Sequence, residues 1–558
     1  MSHTSTTGNP FKHIDGHDYV IVGGGTAGCV LANRLSADGS KRVLLLEAGP
    51  RDNWIWIHIP VGYLYCIGNP RTDWCYKTEP EPGLNGRSIL YARGRVLGGC
   101  SSINAMLYLR GQARDYDEWA RLTGDSSWSW QSVLPLFKHS EDHWRGASAL
   151  HGASNPDADG SDDKGSHEWR VEQQRLRWDI LDAFRDAAVE AGIPAVDDFN
   201  GGNNEGVSKF EVNQRRGVRW NAVKAFLKPA EHRPNLTVLT DCQVTRLRMK
   251  GRVCEGVEFI RRGMPMVASA RRETILSAGA IGSPQLLQLS GIGPGALLQQ
   301  HGIPVLHDLP GVGSNLQDHL QLRMAFKVSN TRTLNTMANS LWGKAMIGLQ
   351  YALFRSGPLS MAPSQLGAFV KSGPEQATPN LEFHVQPLSL DKFGDPLHRF
   401  DALTASICNL RPSSRGSVRI KSADPRAHPA IAPNYLATDE DRRIAAQALR
   451  LTRRIVTGSH ALQRHTPEEF LPGAHHTSDE ALIRAAGDVG TTIFHPVGSC
   501  KMGLDSDAQS VVTPQLQVRG IERLRVIDAS VMPTITSGNT NSPTLMIAER
   551  GAALLMRG

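Results

Sequence analysis

A glycine-rich turn near the start of the chain has the residue types and spacing of a dinucleotide-binding site. Gly23, Gly25 and Gly28 follow a short apolar run and open a helical pattern, and Glu47 ends the next apolar run. The first glycine permits a tight turn, the second lets backbone N–H groups approach a pyrophosphate, and the third lets helix and strand pack closely. Glu47 can accept hydrogen bonds from ribose hydroxyls, and its charge would repel the 2′-phosphate of NADP. The turn by itself does not choose between FAD and NAD.

The residues that flank this turn predict a βαβ unit that would position it. Residues 19–22 and 43–46 are apolar strands, and residues 29–35 between them have a helical pattern. The turn would then lie at the N-terminus of the helix, where the helix dipole favours a phosphate. The same patterns predict strands at residues 237–239, 243–247, 273–276 and 524–528 and helices at residues 178–191 and 544–555.

Four later segments carry clusters of small, polar and potentially catalytic residues. They are residues 94–104, 277–293, 495–503 and 525–544. The small residues of 94–104 would allow backbone to lie against a flat ring. Together with the first turn, and in the same order, these segments resemble the motifs of the glucose–methanol–choline (GMC) family of flavoenzymes, and the resemblance runs from about Asp18 to the C-terminus.

This resemblance implies that the cofactor is FAD, bound without a covalent link. Family members that attach FAD covalently carry a histidine just before the asparagine of the 98–104 run, and here Ile103 stands before Asn104. The residues expected to bind FAD are Gly23, Gly25, Thr26, Ala27, Gly28, Glu47, Ala48, Arg95, Val96, Gly98, Gly99, Ser102, Asn104, Ala105, Val244, Ala278, Asp528, Ala529, Asn539 and Thr544.

The resemblance also assigns the catalytic pair, His495 and Asn539. In the family, an alcohol loses its hydroxyl proton to this histidine while its α-hydrogen leaves as hydride to flavin N5. A histidine with a pKa near 6.5 suits general-base catalysis at neutral pH, and an asparagine amide can donate to the developing alkoxide. Asn541 is a second candidate for the asparagine role, and the spacing to the following Glu549 and Arg550 favours Asn539.

Two residues are candidates for contact with the substrate. His384 lies in a strand-like stretch that resembles one bordering the family's active site. Gln365 stands where choline-oxidising relatives carry a glutamate for the trimethylammonium group, and a neutral amide cannot form that ion pair. The sequence therefore predicts a substrate other than choline.

We therefore expect an FAD-dependent dehydrogenase that oxidises a primary aliphatic or aromatic alcohol to the aldehyde and passes electrons to a quinone or another acceptor. An oxygen-using alcohol oxidase, a flavin-dependent lyase or photodecarboxylase, and a non-catalytic flavin-binding protein remain alternatives. The identity of the alcohol, the acceptor and the oligomeric state stay open.

The composition excludes several other classes of protein. The 558 residues carry 61 lysines and arginines against 54 acidic residues, and this net charge of +7 is scattered rather than gathered into a basic block, so no nucleic-acid partner is expected. No metal site is expected. The eight cysteines show no CxxC pair and predict free thiols. Residues 1–17 are polar and lack the apolar core of a signal peptide, so we expect a disordered lead and a cytoplasmic location, with association with the inner face of a membrane as an option.

Two segments stand apart from this pattern. Residues 340–354 are nearly uncharged and compatible with a helix, but too short to span a bilayer. They predict a core helix, a subunit contact or a helix in a membrane interface, and the sequence leaves the three open. Residues 154–166 are acidic and of low complexity, and predict a mobile surface loop.

The expected fold is α/β, with a Rossmann-like FAD-binding domain on a doubly wound sheet interleaved with an α+β substrate domain on an antiparallel sheet. Residues 15–165 and 166–320 would form two parts of the FAD-binding domain, with substrate-domain elements near 166–215. Residues 321–487 would form the substrate domain, and residues 488–558 would return to the FAD-binding domain with the catalytic pair.

Overall fold

A computed structural model describes residues 12–153, 168–391 and 395–557. The acidic segment predicted at residues 154–166 lies outside these residues. The strands, in chain order, are β1 (Lys12–Val22), β2 (Val43–Leu46), β3 (Glu141–His143), β4 (Trp169–Val171), β5 (Gly206–Lys209), β6 (Gln214–Arg215), β7 (Val218–Arg219), β8 (Leu236–Leu239), β9 (Cys242–Lys250), β10 (Val253–Arg261), β11 (Met264–Leu276), β12 (Ile292–Gly293), β13 (His307–Asp308), β14 (Leu320–Lys327), β15 (Leu366–Val370), β16 (Leu381–Gln386), β17 (Ala402–Asn409), β18 (Ser417–Arg419), β19 (Ala430–Ala432), β20 (Glu468–Leu471), β21 (Gly490–Thr492) and β22 (Leu524–Val526).

The α-helices differ widely in length, from short connecting turns to one of 20 residues. They are α1 (Thr26–Leu35), α2 (Ile55–His58), α3 (Tyr63–Cys66), α4 (Ala113–Thr123), α5 (Trp130–Ser140), α6 (Asp179–Glu190), α7 (Lys228–Ala230), α8 (Gly279–Leu289), α9 (Gly295–Gln300), α10 (Leu334–Ala338), α11 (Leu341–Phe354), α12 (Asp439–Gly458), α13 (His460–Gln463), α14 (Asp479–Val489) and α15 (Asn541–Arg557). Among the described residues, every helix is too short or too polar to reach across a membrane.

The first sheet carries the glycine-rich turn at the end of β1. Its strand order is β8-β2-β1-β11-β10-β9, with β22 also paired to β11. The pairs of β1 with β2 and β11, of β2 with β8 and of β11 with β22 are parallel, whereas β9, β10 and β11 form an antiparallel meander. All four residues of β2 are buried, as expected for a strand covered on both faces. The carboxyl ends of the parallel strands therefore meet at one edge, where ligands bind in such sheets.

The second sheet is antiparallel and lies against the first domain. Its order is β20-β14-β17-β16-β15-β5, with β21 also paired to β14. Strand β5 comes from residues 206–209 and so joins the sheet from far upstream in the chain, and β21 follows α14. The amphipathic helix α12 packs against β17 and buries Ile444, Leu449 and Ile455 in the core of this domain.

Three local predictions need correction. Strand β1 begins at Lys12 and its residues 12–17 pair with β11, so these residues are a strand and not part of a disordered lead. Helix α15 begins at Asn541 rather than at residue 544. Helix α11 matches the segment predicted at 340–354, but it is not a core helix, because only Ile347 and Tyr351 are buried.

Candidate active site

A cavity of about 1270 Å³ lies between the two sheets. It is larger than the roughly 300–1,000 Å³ of an ordinary ligand pocket, and so has room for a cofactor together with a substrate. One wall is the carboxyl edge of the parallel strands, with Val22 and Leu46, together with Val244 near the start of β9. The opposite wall is the second sheet, which contributes Arg323 and His384.

Most of the residues predicted to form the site line this cavity, although they come from segments far apart in the chain. The lining includes Gly23, Gly25, Thr26, Ala27, Glu47, Ala48, Gly99, Asn104, Ala105, Val244, Ala278, His384, His495, Asp528, Ala529, Asn539 and Thr544. Gly28, Arg95, Val96, Gly98, Ser102 and Gln365 do not line it.

The glycines of the first turn are required by close backbone contacts. Gly23 has a φ of +103°, and a Cβ there would lie 2.4 Å from the carbonyl oxygen of Ser277. A Cβ on Gly28 would lie 1.9 Å from the carbonyl oxygen of Gly23, so helix α1 packs directly on the turn. Gly25 is the N-cap of α1 and lies on the cavity wall, where the helix N-terminus can meet an anion.

The second glycine-rich segment, residues 94–104, packs against the first, and this packing places part of the second segment behind the cavity wall. The N–H of Gly98 donates to the carbonyl of Gly24 at 2.7 Å. Ser102 donates from Oγ to the carbonyl of Leu97 at 2.8 Å, and Val96 is fully buried in a small apolar cluster. Arg95 lies over the ring of Trp74, with its guanidinium carbon 5.3 Å from the ring centre. These side chains support the wall, whereas Gly99 and Asn104 form its surface.

The Glu47 carboxylate is held by backbone amides at the edge of the sheet. It accepts hydrogen bonds from the N–H groups of Gly24 and Gly49, both at 2.8 Å. Burial raises its pKa to about 7, against the lowering effect of these two amides and of the charge on Arg95. Each oxygen keeps a further lone pair, so the group can accept hydrogen bonds from ribose hydroxyls as the sequence predicts.

Several features of the wall fit a dinucleotide diphosphate. The N-termini of α1, α8 and α15 reach the cavity at Thr26, Gly279 and Asn541, and helix N-termini favour anions. Asp528 accepts hydrogen bonds from the N–H of Gly279 at 2.9 Å and from Ser283 at 2.6 Å, which joins β22 to α8. The Asn541 Nδ2 atom is buried and has no hydrogen-bond partner, as expected for a group that awaits a polar ligand.

His495 and Asn539 meet at the cavity in a chain of hydrogen bonds that determines the histidine tautomer. The Nε2 atom of His319 lies 3.0 Å from the carbonyl oxygen of Leu410, which can only accept, so this Nε2 carries a proton. In neutral His319, Nδ1 therefore carries no proton and can only accept a hydrogen bond. It lies 3.1 Å from Nδ1 of His495, so the His495 Nδ1 carries a proton and donates a hydrogen bond to His319. The lone pair of His495 is therefore on Nε2, 3.1 Å from the Asn539 amide nitrogen. Asn541 instead accepts from Thr26 Oγ1 at 2.7 Å.

Asp318 fixes the backbone of both histidines. Its Oδ1 accepts from the N–H of His495 at 2.8 Å and of His319 at 3.0 Å. Its Oδ2 accepts from Thr492 Oγ1 at 2.5 Å and from the Tyr435 hydroxyl. Asp318 and His319 were not predicted from the sequence, because an adjacent aspartate and histidine before a strand have no local signature of a site.

The surroundings of His495 keep its imidazole neutral. Burial lowers its pKa well below 6.5, and electrostatic effects of His319, His384 and Arg93 lower it further. The imidazole is thus an unprotonated base at neutral pH, and its Nε2 lone pair accepts a hydrogen bond from the Asn539 amide. The Asn539 Oδ1 atom is buried without a partner on the same wall.

The substrate side differs from the sequence prediction at one position. His384 lines the cavity, with Nε2 3.2 Å from an oxygen of the buried Glu382, outside good hydrogen-bond geometry. Gln365 does not reach the cavity, because its amide turns back to the carbonyl of Ala362, and its neighbour Ser364 lines the wall instead. Gln365 lies at a bend just before β15, and there its side chain turns away from the cavity.

Two groups of side chains in the described residues have the donor types that bind metal ions. Glu141, His143 and His151 form one, and Glu382, His384 and Cys408 form the other. Both His151 nitrogens are already engaged by carboxylates, and Cys408 lies 3.9 Å from Glu382. These contacts engage His151 of the first group, whereas Glu382 Oε1 and His384 Nε2 of the second group are buried without a hydrogen-bond partner.

Comparison with known proteins identifies the family. Residues 17–321 match the GMC oxidoreductase N-terminal model and residues 412–548 the C-terminal model. The chain is 42% identical to the alcohol dehydrogenase [acceptor] of Pseudomonas putida over 97% of this chain and 96% of that protein. It is 40% identical to the mitochondrial choline dehydrogenase of Homo sapiens over 97% of this chain and 90% of that protein.

Solved structures agree with this result. Pyridoxine 4-oxidase from Mesorbium loti superposes with a TM-score of 0.86 at 31% identity, over 97% of this chain and 100% of that one. A fungal aryl-alcohol oxidase superposes with a TM-score of 0.83 at 26% identity, over 98% and 99% of the two chains.

This chain therefore belongs to the GMC oxidoreductase family, and its cofactor is FAD. The predicted family, fold class and cofactor are confirmed. Ile103 lines the cavity where some members carry a linking histidine, and its aliphatic side chain offers no atom for a covalent bond to FAD. The role of each site residue stays a prediction, to which the geometry above gives a physical basis.

Proposed function

We propose that this member of the GMC family is an alcohol dehydrogenase that oxidises primary aliphatic or aromatic alcohols to aldehydes and passes the electrons to a quinone or another acceptor. The observation that carries the proposal is the unprotonated Nε2 of His495, hydrogen-bonded to the Asn539 amide on the wall of a cavity large enough for FAD and an alcohol. The similarity to an alcohol dehydrogenase that uses an acceptor supports it.

In this proposal FAD supplies the two-electron acceptor that takes the hydrogen of the alcohol carbon. His495 removes the hydroxyl proton at Nε2, since its Nδ1 already carries the proton donated to His319. The Asn539 amide donates a hydrogen bond to the alkoxide oxygen as negative charge develops there. Asp318 holds the backbone of the base in place, so little reorganisation is needed during proton transfer.

The charges on the cavity wall favour a neutral alcohol. Of the carboxylates that line it, Glu47 and Asp528 are engaged by backbone amides at the edge of the first sheet. The other three, Asp391, Asp395 and Asp488, are exposed side chains. No buried carboxylate among the described lining residues is thus available to pair with a quaternary ammonium beside His495, and Ser364 is neutral.

The test is anaerobic reduction of the protein-bound flavin by a panel of alcohols. The panel contains linear primary alcohols of increasing chain length, benzyl alcohol and choline, and absorbance of the oxidised flavin is followed after mixing. We expect bleaching by primary aliphatic or aromatic alcohols and little by choline. Bleaching by choline alone would overturn the substrate class, and no bleaching by any alcohol would overturn the dehydrogenase proposal.

The acceptor is tested separately by comparing hydrogen peroxide formed per aldehyde with the rate in the presence of a water-soluble quinone. Several of the solved relatives are named oxidases, which makes oxygen the competing acceptor. We expect turnover to depend on the quinone. One peroxide per aldehyde, with no gain from the quinone, would instead assign an alcohol oxidase.

A further inference from the structure

Helix α11 presents a row of large apolar side chains to solvent. Those exposed are Leu341 (86%), Trp342 (76%), Met346 (46%), Leu349 (52%), Leu353 (64%) and Phe354 (65%). Four of them, at positions 342, 346, 349 and 353, follow the spacing that places side chains on one helix face. Scattered single apolar residues are normal on a surface, but a continuous apolar stripe marks an interaction site.

The helix is held against the protein by its opposite face. Ile347 and Tyr351 are buried, and the Tyr351 hydroxyl donates to the carbonyl of Gly217 at 3.0 Å. Ser340 accepts from the N–H of Gly343 and caps the N-terminus. The exposed stripe therefore belongs to a docked helix and not to a loose segment.

The charges around the stripe suit an anionic surface. No acidic residue occurs from residue 319 to residue 374. Lys344, Arg355 and Arg332 are exposed in or near the helix, and Arg216 is exposed in the turn beneath its C-terminal end. An apolar face flanked by cations is the pattern of a helix that lies in the interface of an anionic bilayer. At 1.5 Å per residue its 14 residues span about 21 Å, which is too short to cross a bilayer of about 30 Å.

One exposed part of the cavity lining lies at this helix. Lys344 of α11 and the neighbouring Asn339 are both exposed and both line it, as does the exposed Tyr65 of α3. Asp391 and Asp395 also stand on the exposed part of the lining, so the basic character belongs to the helix and not to the whole exposed lining. A protein resting on α11 would hold this exposed part of the lining next to the lipid.

We propose that α11 is a membrane-docking helix that places this exposed part of the cavity lining at an anionic lipid surface, where a lipid-dissolved quinone can enter. The choice of quinone rests on the proposed function, whereas lipid binding through α11 does not. A second copy of this chain could cover such a stripe instead of lipid, and vesicle binding together with sedimentation velocity separates the two.

The test is co-sedimentation of the full-length FAD-loaded protein with vesicles. One set is phosphatidylcholine alone, and the other is an equimolar mixture of phosphatidylcholine and phosphatidylglycerol. The test variant carries Trp342→Glu with Leu349→Glu, and the matched control carries Met264→Glu. Met264 is similarly exposed, at 56%, but lies at the start of β11 in the first sheet.

We expect the wild type and the Met264 variant to bind the anionic vesicles more tightly than the neutral ones, and the double variant to bind about tenfold more weakly. Reduction of a water-soluble dye acceptor by alcohol should be unchanged in all three, and reduction of a vesicle-embedded long-chain quinone should fall only in the double variant. Failure of dye reduction would count against the proposed function and leave vesicle binding to be judged separately.

Two results would overturn the docking proposal. One is equal vesicle binding by the wild type and the double variant. The other is no vesicle binding by the wild type, together with a sedimentation-velocity mass of a dimer that falls to a monomer in the double variant, which would assign α11 to a subunit interface.

Discussion

Two pairs of buried histidines in this protein have opposite charge environments. His319 and His495 at the cavity contact each other, a carbonyl and an amide. His143 and His151 stack with ring centres 3.7 Å apart away from the cavity. They contact carboxylates instead, and the same cluster holds the buried ion pair of Arg110 with Glu141 at 2.8 Å.

Burial lowers the pKa of a histidine in both pairs, but the groups that contact that histidine decide whether its pKa ends below or above the ordinary value. Burial lowers the pKa of His495, and nothing near it reverses this effect. Burial also lowers the pKa of His151, but hydrogen bonds to Asp198 and Glu141 outweigh it and raise the pKa to about 9. One histidine is thus kept neutral and able to accept a proton, and the other is kept charged and joins segments of the fold.

The sharpest test of this comparison is His495→Ala. We expect FAD to stay bound, because the alanine leaves the glycine turns and Glu47 intact, and the rate of flavin reduction by alcohol to fall about 10³-fold. Anaerobic stopped-flow absorbance measures the rate, and the flavin-to-protein absorbance ratio measures FAD content. His151→Ala is the matched control and should reduce its flavin at close to the wild-type rate. A normal rate in His495→Ala would remove His495 from the mechanism.

For stability, the larger effect is expected at His151 and not at His495. His151 has a folded pKa of about 9, above the 6.5 of an unfolded histidine, so its stabilisation is complete below pH 6.5 and is lost as pH rises through 9. The free energy of unfolding of the wild type should therefore fall by about 2 kcal/mol between these pH values through this group. Urea titrations at a series of pH values measure it.

The His151→Ala variant should be less stable than the wild type at pH 6.5 and should lose most of that pH dependence. The His495→Ala variant should keep the wild-type slope, because a pKa lowered in the folded state changes stability only towards acid. Parallel wild-type and His151→Ala curves from pH 6.5 to 9 would show that the carboxylates do not hold His151 in its charged form.

The smallest effect is expected at His319, which acts only through His495. Replacing it with Phe removes the Nδ1 acceptor that keeps the lone pair of His495 on Nε2, and should slow flavin reduction about tenfold. It also removes the electrostatic effect of His319 that lowers the pKa of His495, so the acid limb of the rate should move to higher pH. His319→Gln keeps an acceptor oxygen and should restore most of the rate. Equal losses in both variants, with no shift of the pH profile, would mean that His319 only fills space.

Site residues whose roles depend on neighbours close in the sequence were predictable, and those whose roles depend on distant segments were not. The turn at Gly23–Gly28 and Glu47 were predictable because their roles depend on consecutive residues and on one short βαβ unit. His495 and Asn539 were predicted from the resemblance to the GMC family, because the order of the motifs along the chain can be compared without knowledge of the fold. The prediction of Gln365 where Ser364 lines the wall is an error of one residue, at a bend before β15 that the sequence pattern did not show.

The sequence by itself determined the dinucleotide-binding turn, because that motif depends on the spacing of nearby residues, and its resemblance to a known family supplied the family and the cofactor. Only the tertiary structure decided which groups surround the site residues. His319 contacts His495 across 176 residues of chain, and β5 joins a sheet whose other strands lie far downstream. Whether the stripe on α11 faces a core or solvent likewise depends on what packs beside it, because an apolar helix has the same pattern in both settings.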